Sequence, residues 1–556
     1  MTHSTTRPAP EATDLATALA TIMSTHLSDQ PIGLDDDFYA MGGDSLIALR
    51  VVTDAQRSGI QIGLRDLLYH PTIRELVAAV GKEDPNPPPY SGDAHTELLP
   101  PADMALLPAG VASAAPTTEL QLGMIYLIEH SGDPQLYQAL IGWQVRADFD
   151  EPRFRAALDA LVARHEALRT SFDLGGFSQP VQLVWSSITT PLTVEVAAGA
   201  DATEARAAAR RWRENTLTLP IDWSQAPLWR CHVVAGDGVF DVTVVMHHAI
   251  VDGWSYGRVV VELLRLYHAA AAGAAGPAAG LDEQAGLPPV PAGAHRRFLD
   301  AERAALASEA AERYWRQQSD LPPLLFERGP LSGPADARLS TSFAMPAELM
   351  RRLRETARTV GVPLKSLGLT AHVWALRALA RRAGDIVTGV VVNARPETPG
   401  ADLVVGPYLN TVPMRIGDTR GTWADTARGV FDAEREGSAY WAYPLARIET
   451  GLGRPPFDAT FNFTQFQIDR DASGIPGPPI DSWWIEGKPS FAFRVDFDVD
   501  VTDAGSRLVV SFDPALLTAA QAELHLARMR EALTLLTADP WAHPPATRRP
   551  DGKDGR

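Results

Sequence analysis

The stretch that most constrains the fold of this chain is VVMHHAIVDGWS at positions 244–255. Apolar residues alternate into it as along a β-strand, and an apolar periodicity typical of a helix follows from Ser255. His247 and His248 therefore end a predicted strand, where neighbouring side chains point to opposite faces of the backbone. Only one of the two histidines can face a given cavity. The pair is thus a poor chelate, and we predict no metal site.

Asp252 and Gly253 follow the histidines and predict a tight turn. A partner would fix the Asp252 carboxylate, while glycine permits a backbone conformation that other residues resist. A histidine pair alone is weak evidence of function, but the whole string HHAIVDGWS is more specific. It resembles the HHxxxDG signature of condensation domains of non-ribosomal peptide synthetases, which share a fold with chloramphenicol acetyltransferase and other CoA-dependent acyltransferases.

The N-terminal region, residues 10–82, reads as a small bundle of helices without strands. The run DDFYAMGGDSL at 36–46 brings Ser45 to the start of a predicted helix, where backbone N–H groups and the helix dipole favour a negatively charged adduct. An ordinary N-cap is the alternative reading. The run resembles the attachment motif of peptidyl carrier proteins, and this resemblance implies that Ser45 carries a 4'-phosphopantetheine arm.

The rest of the chain divides by composition. Residues 83–97 are rich in proline and predict a semi-rigid, extended linker between two domains that move. The resemblance assigns 98–285 to the N-terminal lobe of a condensation domain and 286–540 to its C-terminal lobe, and 541–556 is a polar tail. The expected fold is a small all-α four-helix carrier bundle followed by an α/β condensation domain of two chloramphenicol acetyltransferase-like lobes in a V shape.

Further strings support the same family. RHEALRTSF at 164–172 resembles the family's RHExLRTxF string, and the resemblance implies that Arg169 pairs with Asp252. We read Arg164, His165 and Glu166 as a charged helix end. Two more strings resemble family motifs: TTELQLGM, with Gln121 at the position of the opening motif's glutamine, and VGPYLNTVP, which contains Asn410.

Charge and targeting signals limit the partners. The formal net charge of −18 and the absence of a basic stripe argue against nucleic acid. We find no apolar run of membrane-spanning length and no targeting segment, so we expect a cytoplasmic monomer without membrane contact. The single cysteine, Cys231, has apolar neighbours and predicts a buried structural thiol.

The resemblance implies amide bond formation between two carrier-bound thioesters. His248 is the expected catalytic residue and the Gly253 N–H a possible oxyanion contact, while His247, Asp252, Arg169 and Asn410 support the site. The N-terminal carrier would hold the peptidyl or acyl donor and a separate acceptor carrier the aminoacyl group. An adenylation domain and a phosphopantetheinyl transferase are expected to dock on the carrier. Substrate identity and stereochemistry are not encoded in any motif.

Three other readings stay open. An epimerase of the same superfamily also follows a carrier, but its opening motif is of a WF type where this chain has QLGM at 121–124. A carrier-linked platform with a decayed site would recruit other enzymes, although both histidines and the DG pair are retained. A free-standing CoA acyltransferase is disfavoured by the fused carrier.

Overall fold

The chain begins with a bundle of helices packed around an apolar core. The computed structural model describes residues 12–27, 32–43, 45–80, 99–271, 280–325, 339–465, 480–487, 491–500 and 505–546, apart from 134, 198, 218, 221, 292, 323 and 418–420. The bundle comprises α1 (Ala12–Leu27), α2 (Ser45–Arg57), α3 (Leu64–Tyr69) and α4 (Ile73–Ala79). The spacing of Thr72 and Glu75 predicts a capping box, and the structure has one at the start of α4.

Two adjacent glycines shape the turn before α2. Gly42 has φ +100°, a left-handed conformation that side chains with a Cβ resist. A Cβ on Gly43 would lie 2.3 Å from the Phe38 ring. Both glycines are therefore required by the turn that leads into the first residue of α2, Ser45. The side chain of Ser45 lies outside the described residues, as do Asp44 and the predicted linker 83–97.

The N-terminal lobe has a five-stranded sheet with strand order β12-β2-β7-β6-β5 and a three-stranded sheet with order β1-β4-β3. Strands β2 and β7 are buried along their whole length, so the histidine pair ends a central strand of the lobe. The elements of this lobe are α5 (Pro101–Met104), β1 (Val111–Pro116), α6 (Glu119–Ser131), β2 (Gln138–Val145), α7 (Glu151–Arg164), β3 (Thr170–Asp173), β4 (Val181–Trp185), β5 (Leu192–Val196), α8 (Ala202–Leu217), β6 (Trp229–Gly236), β7 (Val239–His247), α9 (Gly253–Ala271) and α10 (Leu281–Gln284).

The C-terminal lobe is built on a six-stranded mixed sheet with strand order β10-β9-β11-β13-β14-β8. Its elements are α11 (Ala294–Leu306), α12 (Glu309–Ser319), β8 (Leu339–Ala344), α13 (Ala347–Val360), α14 (Leu364–Leu379), β9 (Ile386–Asn393), β10 (Leu409–Ile416), α15 (Trp423–Gly437), α16 (Leu445–Leu452), β11 (Thr460–Gln465), β12 (Ile480–Gly487), β13 (Phe493–Val499), β14 (Arg507–Phe512) and α17 (Ala519–Ala538). The continuous apolar run at 386–392 predicts a buried strand, and it forms β9.

Two features depart from the sequence expectations. The charged, amphipathic sequence over 298–318 predicts one helix, but the structure has two, because Ser308 caps the start of a second one. In addition, β12 pairs with β2, so a segment assigned to the C-terminal lobe completes the N-terminal lobe's sheet. A boundary at 285/286 thus does not describe the path of β12.

The two lobes have separate apolar cores, and the carrier core is continuous with that of the C-terminal lobe. The Tyr39 and Phe431 rings, 5.2 Å apart, join carrier and lobe. Cys231 is buried, as predicted, and burial raises the pKa of its thiol. Within the described ranges, no helix combines the length and apolar character needed to span a bilayer.

Candidate active site

The histidine pair lies where β7 ends and the chain turns toward α9. His247 pairs with Gln138 across the sheet, and the His248 N–H donates to the Tyr137 carbonyl at 2.8 Å. This hydrogen bond continues the ladder one residue beyond the strand. The backbone of His248 is thereby fixed to the neighbouring strand, while its side chain points to the other face from that of His247.

His248 is oriented as a proton acceptor. Its Nδ1 lies 3.1 Å from the Val251 carbonyl, which can only accept a hydrogen bond, so Nδ1 carries the proton and Nε2 carries the lone pair. Burial lowers the pKa of His248, and the positive charge of Arg494 lowers it further against the opposing effects of the Val251 carbonyl and Asp252. The imidazole is therefore neutral at physiological pH.

His247 is held in the opposite tautomer and serves structure. Its Nδ1 accepts the Ala249 N–H at 2.9 Å, which leaves the proton on Nε2. Burial lowers the pKa of His247 to about 3. The ring packs edge-on against Trp223, with centroids 4.7 Å apart. These contacts keep His247 neutral within the apolar core of the N-terminal lobe.

Asp252 joins the two lobes. Its Oδ1 accepts hydrogen bonds from the Ser255 N–H at 2.8 Å and the Ser255 hydroxyl at 2.7 Å. Its Oδ2 accepts from the Tyr408 N–H at 3.1 Å and from Arg395 Nη2 at 3.0 Å. Every carboxylate contact is buried, and two of the partners belong to the C-terminal lobe. Asp252 is thus a structural link between the signature turn and the facing lobe.

The predicted pairing of Arg169 with Asp252 is wrong. The Arg169 guanidinium instead donates to the backbone carbonyls of Val162, Ala163 and Trp185. Arg395 takes the place next to Asp252, and its Nη1 also donates to the carbonyls of Ala401 and Val404. The sequence contained Arg395 in the segment NARP at 393–396, but spacing alone did not indicate which arginine reaches the carboxylate.

Two side chains from the recognised motifs support nearby backbone. Gln121 caps α6 together with Thr118 and donates to the Ala249 carbonyl at 2.9 Å, directly after the histidine pair. Asn410 donates to the carbonyls of Trp441 and Tyr443, both at 2.8 Å. Asn410 therefore orders a loop of the C-terminal lobe and does not contact Asp252.

A buried ionic network connects α9 to the end of α7. Glu262 accepts from His165 Nε2 at 2.7 Å, Arg164 Nε at 2.9 Å and Arg258 Nη1 at 2.7 Å. Burial acts to raise the pKa of Glu262, but the hydrogen bond from His165 and the charges of Arg258 and Arg164 lower it to about 2. The side chains of Arg164 and His165 are only 3% and 1% exposed, so two members of the expected charged helix end lie in the lobe interior, while Glu166 is exposed as expected. The i,i+4 spacing of Arg258 and Glu262 was a signal for this network.

A cavity of about 340 Å³ extends from the carrier to the start of α9. Its walls include Arg50 and Arg57 of the carrier, Gly253 and Trp254 of the N-terminal lobe, and Asn462 of the C-terminal lobe. Gly253 is the first residue of α9, so its N–H has no partner within the helix. The cavity therefore extends from the carrier to the N-terminus of α9, which begins five residues beyond His248.

The carrier contacts the condensation region through polar groups, of which Arg57 and Asp402 line this cavity while Leu64 and Glu397 line a neighbouring one. Arg57 Nη2 lies 3.1 Å from Asp402 Oδ1, and the Leu64 N–H donates to Glu397 Oε2 at 2.6 Å. The guanidinium of Arg50 stacks 4.9 Å above the Trp254 ring. Helix α2, which begins at Ser45, thus lies over the cavity mouth. Over the described part of the chain, no cluster of three or more His, Cys, Asp or Glu side chains is suited to a metal ion.

Comparisons with known proteins agree with this architecture. A family model described as a condensation domain matches residues 111–541, and one described as a phosphopantetheine attachment site matches 14–80. Similar solved structures include the first condensation domain of the calcium-dependent antibiotic synthetase, with TM-score 0.64, 19% identity and coverage of 78% of this chain and 98% of that one. The condensation domain of the monacolin K polyketide synthase MokA has the same TM-score and identity, with coverage of 78% and 99%.

Curated relatives are larger synthetases. The AMB antimetabolite synthetase AmbE of Pseudomonas aeruginosa is 34% identical over 97% of this chain, which spans 25% of that protein. The malpinin synthetase of Mortierella alpina is 29% identical over 72% of this chain and 5% of that protein. The chain belongs to the condensation domain family of non-ribosomal peptide synthetases, the amide-bond-forming acyltransferases, and carries a phosphopantetheine-attachment carrier domain ahead of that domain.

Proposed function

We propose that this chain joins a donor acyl or peptidyl thioester, held on its own carrier, to the amine of an aminoacyl thioester on a separate carrier. The observation that carries the proposal is His248, a neutral imidazole whose Nε2 is an acceptor because Nδ1 donates to Val251. A neutral acceptor five residues before Gly253, which lines the inter-lobe cavity, suits the removal of a proton from an attacking amine.

The amine needs only limited help with its proton. An unperturbed α-amine has a pKa of about 7.7–8, so part of it is neutral near pH 7.5. Holding the two reactants in near-attack geometry contributes up to roughly 7–11 kcal/mol, whereas general base assistance gives about 10²–10⁴-fold. Positioning of the reactants thus lowers the barrier more than proton transfer does. His248 accepts the amine's hydrogen bond and takes up its proton as the carbon–nitrogen bond forms, and Gly253 N–H faces the oxyanion.

The carrier's residues suit a covalent arm at Ser45. Gly42 and Gly43 allow the sharp turn that brings Ser45 to the first position of α2, and the positive end of that helix dipole favours a phosphodiester. The 4'-phosphopantetheine arm supplies the thiol that activates the acyl group as a thioester. Its attachment requires a phosphopantetheinyl transferase and its loading an adenylation domain, which we propose as partners together with an acceptor carrier.

The docked carrier supports a donor role. Helix α2 lies against the cavity that reaches the start of α9, and the contacts of Arg57, Leu64 and Arg50 hold it there. A tether raises the effective concentration of a domain at its own face to roughly the mM range, so weak contacts suffice. The acceptor carrier then enters from another side.

The test compares His248→Ala with His247→Ala in the full chain. Ser45 is loaded with a peptidyl arm, an aminoacyl carrier is added, and the products are read by intact mass. We expect His248→Ala to lose about 10²–10⁴-fold in turnover at wild-type stability. His247→Ala should act mainly through stability, which denaturation measures independently. Condensation by His248→Ala at the wild-type rate would contradict the catalytic role.

The same experiment separates the alternatives. An epimerase would leave the label on Ser45 and exchange its α-carbon hydrogen with deuterium from solvent. A recruitment platform would give neither product nor exchange, although the carrier would still accept its arm. A Ser45→Ala control that still accepts the arm would overturn Ser45 as the attachment residue.

A further inference from the structure

Strand β13 of the C-terminal lobe presents charged side chains on one face and apolar side chains on the other. Its apolar face is buried in the lobe, and its charged face is half-buried at the cleft. The charged residues are Arg494, Asp496 and Asp498, with side chains 29%, 16% and 25% exposed. None of them belongs to a motif recognised in the sequence.

The strand topology brings the start of β13 to the histidine pair. Strand β12 ends at Gly487, which pairs with Ala139, next to the pairing of Gln138 with His247. Arg494 is the seventh residue after Gly487 and the second of β13. The chain therefore leaves the N-terminal lobe's sheet at the histidines and enters the other lobe's sheet directly afterwards.

The charge of Arg494 acts on groups at this position. The positive charge of Arg494 lowers the pKa of His248. Tyr137 is among the groups that raise the pKa of Arg494. The carbonyl of the same Tyr137 accepts the His248 N–H. Charges affect a titrating group in this way at short range. Asp252, on the turn before α9, raises the pKa of His248 and so opposes the effect of Arg494. The Tyr256 ring lies edge-on to the His248 ring, with centroids 5.7 Å apart.

Asp496 fixes the Arg494 guanidinium. Nε lies 2.9 Å from both carboxylate oxygens, and Nη2 lies 2.6 Å from Oδ1. Asp496 also accepts from Asn462 Nδ2 at 2.8 Å, and Asn462 lines the cavity that begins at the carrier. Because the carboxylate occupies the Nε and Nη2 edge, Nη1 faces away from it. The guanidinium is thus a donor oriented by Asp496, which also binds the cavity-lining Asn462.

We propose that Arg494 donates a hydrogen bond through Nη1 to the thioester carbonyl oxygen as that oxygen becomes an oxyanion. This inference rests on the proposed function. The amine nitrogen bonds to the carbonyl carbon, and the π electron pair moves to the oxygen that Arg494 binds. When the pair returns, the carbon–sulfur bond breaks. The amine's proton passes through His248 Nε2 to the leaving thiolate.

Arginine suits this role because it stays charged at every physiological pH and its donors have a fixed geometry. A donor that is oriented before the reaction does not have to reorganise when the charge develops, and removal of one such donor typically costs about 10²–10³-fold in kcat. The Asp496 clamp provides this orientation from the lobe opposite His248.

The test is Arg494→Gln in the full chain with a loaded donor arm, beside Arg507→Gln as a matched control. Arg507 binds Asp498 in the same cluster at 3.0 Å but is half exposed on the neighbouring strand. We expect Arg494→Gln to lower kcat by about 10²-fold with little change in the KM for the acceptor carrier, and Arg507→Gln to stay within about twofold. Arg494→Lys, which keeps the charge but not the fork, should recover part of the loss.

A second measurement needs no loaded arm. The pKa of His248 is measured by NMR in unloaded protein, and Arg494→Gln should raise it, because a neighbouring positive charge is removed. The acid limb of kcat should move to higher pH by the same amount. Arg507→Gln should leave the pKa of His248 unchanged. If Arg494→Gln does not fold, Arg494→Met provides the pKa comparison, and Asp496→Asn, which removes the clamp but keeps the charge of Arg494, provides the kcat comparison.

Three results would overturn the inference. One is wild-type kcat in Arg494→Gln, another is an unchanged pKa of His248. The third is an effect confined to the KM for donors that carry a carboxylate, which would make Arg494 a side-chain specificity residue. If His248→Ala also condenses at the wild-type rate, the proposed function itself fails. If His248→Ala is inactive and Arg494→Gln keeps the wild-type rate, only this inference fails.

Discussion

Two ionic contacts lie on opposite sides of the short turn at 401–404 and differ in burial. On the inner side, Arg395 binds Asp252 with side chains 1% and 2% exposed. On the outer side, Arg57 of the carrier binds Asp402 with side chains 39% and 9% exposed. The inner contact links the two lobes, and the outer one links the carrier to them.

The difference in burial indicates that the two contacts differ in how much free energy it costs to break them. A buried charge that loses its partner is strongly penalised, whereas an exposed ion pair contributes little and can open at low cost. The lobes are therefore fixed to each other at the signature turn, whereas the ion pair between carrier and lobes adds little to the apolar contact that joins them.

The largest expected effect is at the inner contact. Arg395→Met leaves the Asp252 carboxylate buried without its cation, so we expect a loss of about 3–5 kcal/mol in the free energy of unfolding, together with loss of turnover. Denaturant unfolding measures the first and product formation the second. In a double-mutant cycle with Asp252→Asn, the two substitutions should be strongly coupled.

Arg169→Met is the matched control for this cycle. It removes hydrogen bonds to three backbone carbonyls, which costs about 1–3 kcal/mol, but it should add independently to Asp252→Asn. Coupling of Asp252 to Arg169 and not to Arg395 would refute the inter-lobe link and restore the pairing expected from the family.

Buried groups also determine how the free energy of unfolding depends on pH. Burial lowers the pKa of His525, in the core of the C-terminal lobe, to about 3 from its ordinary 6.5. The unfolded chain therefore binds a proton below pH 6.5 that the folded chain does not, and the contribution of His525 to stability is lost as pH falls. Relative to wild type, His525→Gln should make the slope of unfolding free energy against pH shallower between 6.5 and 4.5, by up to about 1.4 kcal/mol per pH unit.

Glu302 provides a control of opposite sign. Burial raises the pKa of this carboxyl to about 8 from 4.5, so the folded chain keeps a proton that the unfolded chain releases. Glu302 therefore lowers the free energy of unfolding progressively as pH rises from 4.5 to 8. Glu302→Gln should remove this decrease. Equal slopes in wild type, His525→Gln and Glu302→Gln would contradict the burial of these groups.

The smallest effect is expected at the outer contact. Reversing one charge with Arg57→Glu removes an attraction of about 0.2–1 kcal/mol and adds a repulsion, so turnover from the loaded carrier should fall only severalfold because the tether remains. The double variant Arg57→Glu with Asp402→Arg should recover the rate, and added salt should reduce the effect. Kinetics at low and moderate salt provide the measurement.

Arg74→Glu is the control, because Arg74 forms an exposed ion pair with Asp35 within the carrier. It should leave turnover unchanged. An Arg57→Glu variant with a wild-type rate at low salt would show that the docked position of the carrier is not used in the reaction.

Local patterns in the sequence predicted the elements of the site. The alternation before His247 indicated a strand, the DG pair a turn, and the paired glycines before Ser45 a helix start, and each follows from the backbone preferences of a few adjacent residues. The opposite orientation of His247 and His248 also follows from an extended backbone.

Long-range partners were not predictable in the same way. Arg395 lies 143 residues from Asp252 in sequence, and several arginines had suitable neighbours. The pairing of β12 with the other lobe's sheet depends on which free strand edge is covered, and periodicity within β12 does not encode that choice. Arg164 and His165 appeared to be surface charges because their partner, Glu262, lies on a helix 97 or more residues away.

The donor role of the fused carrier is tested most directly by following a label from Ser45. Ser45 is loaded with a labelled acyl-aminoacyl group, a separate glycyl carrier is supplied, and both proteins are read by intact mass. We predict that the label moves onto the added carrier as an acyl-aminoacyl-glycyl product, and that His248→Ala suppresses this transfer. Movement of the glycyl group onto Ser45, or a label that stays in place and only exchanges its α-hydrogen, would contradict this role.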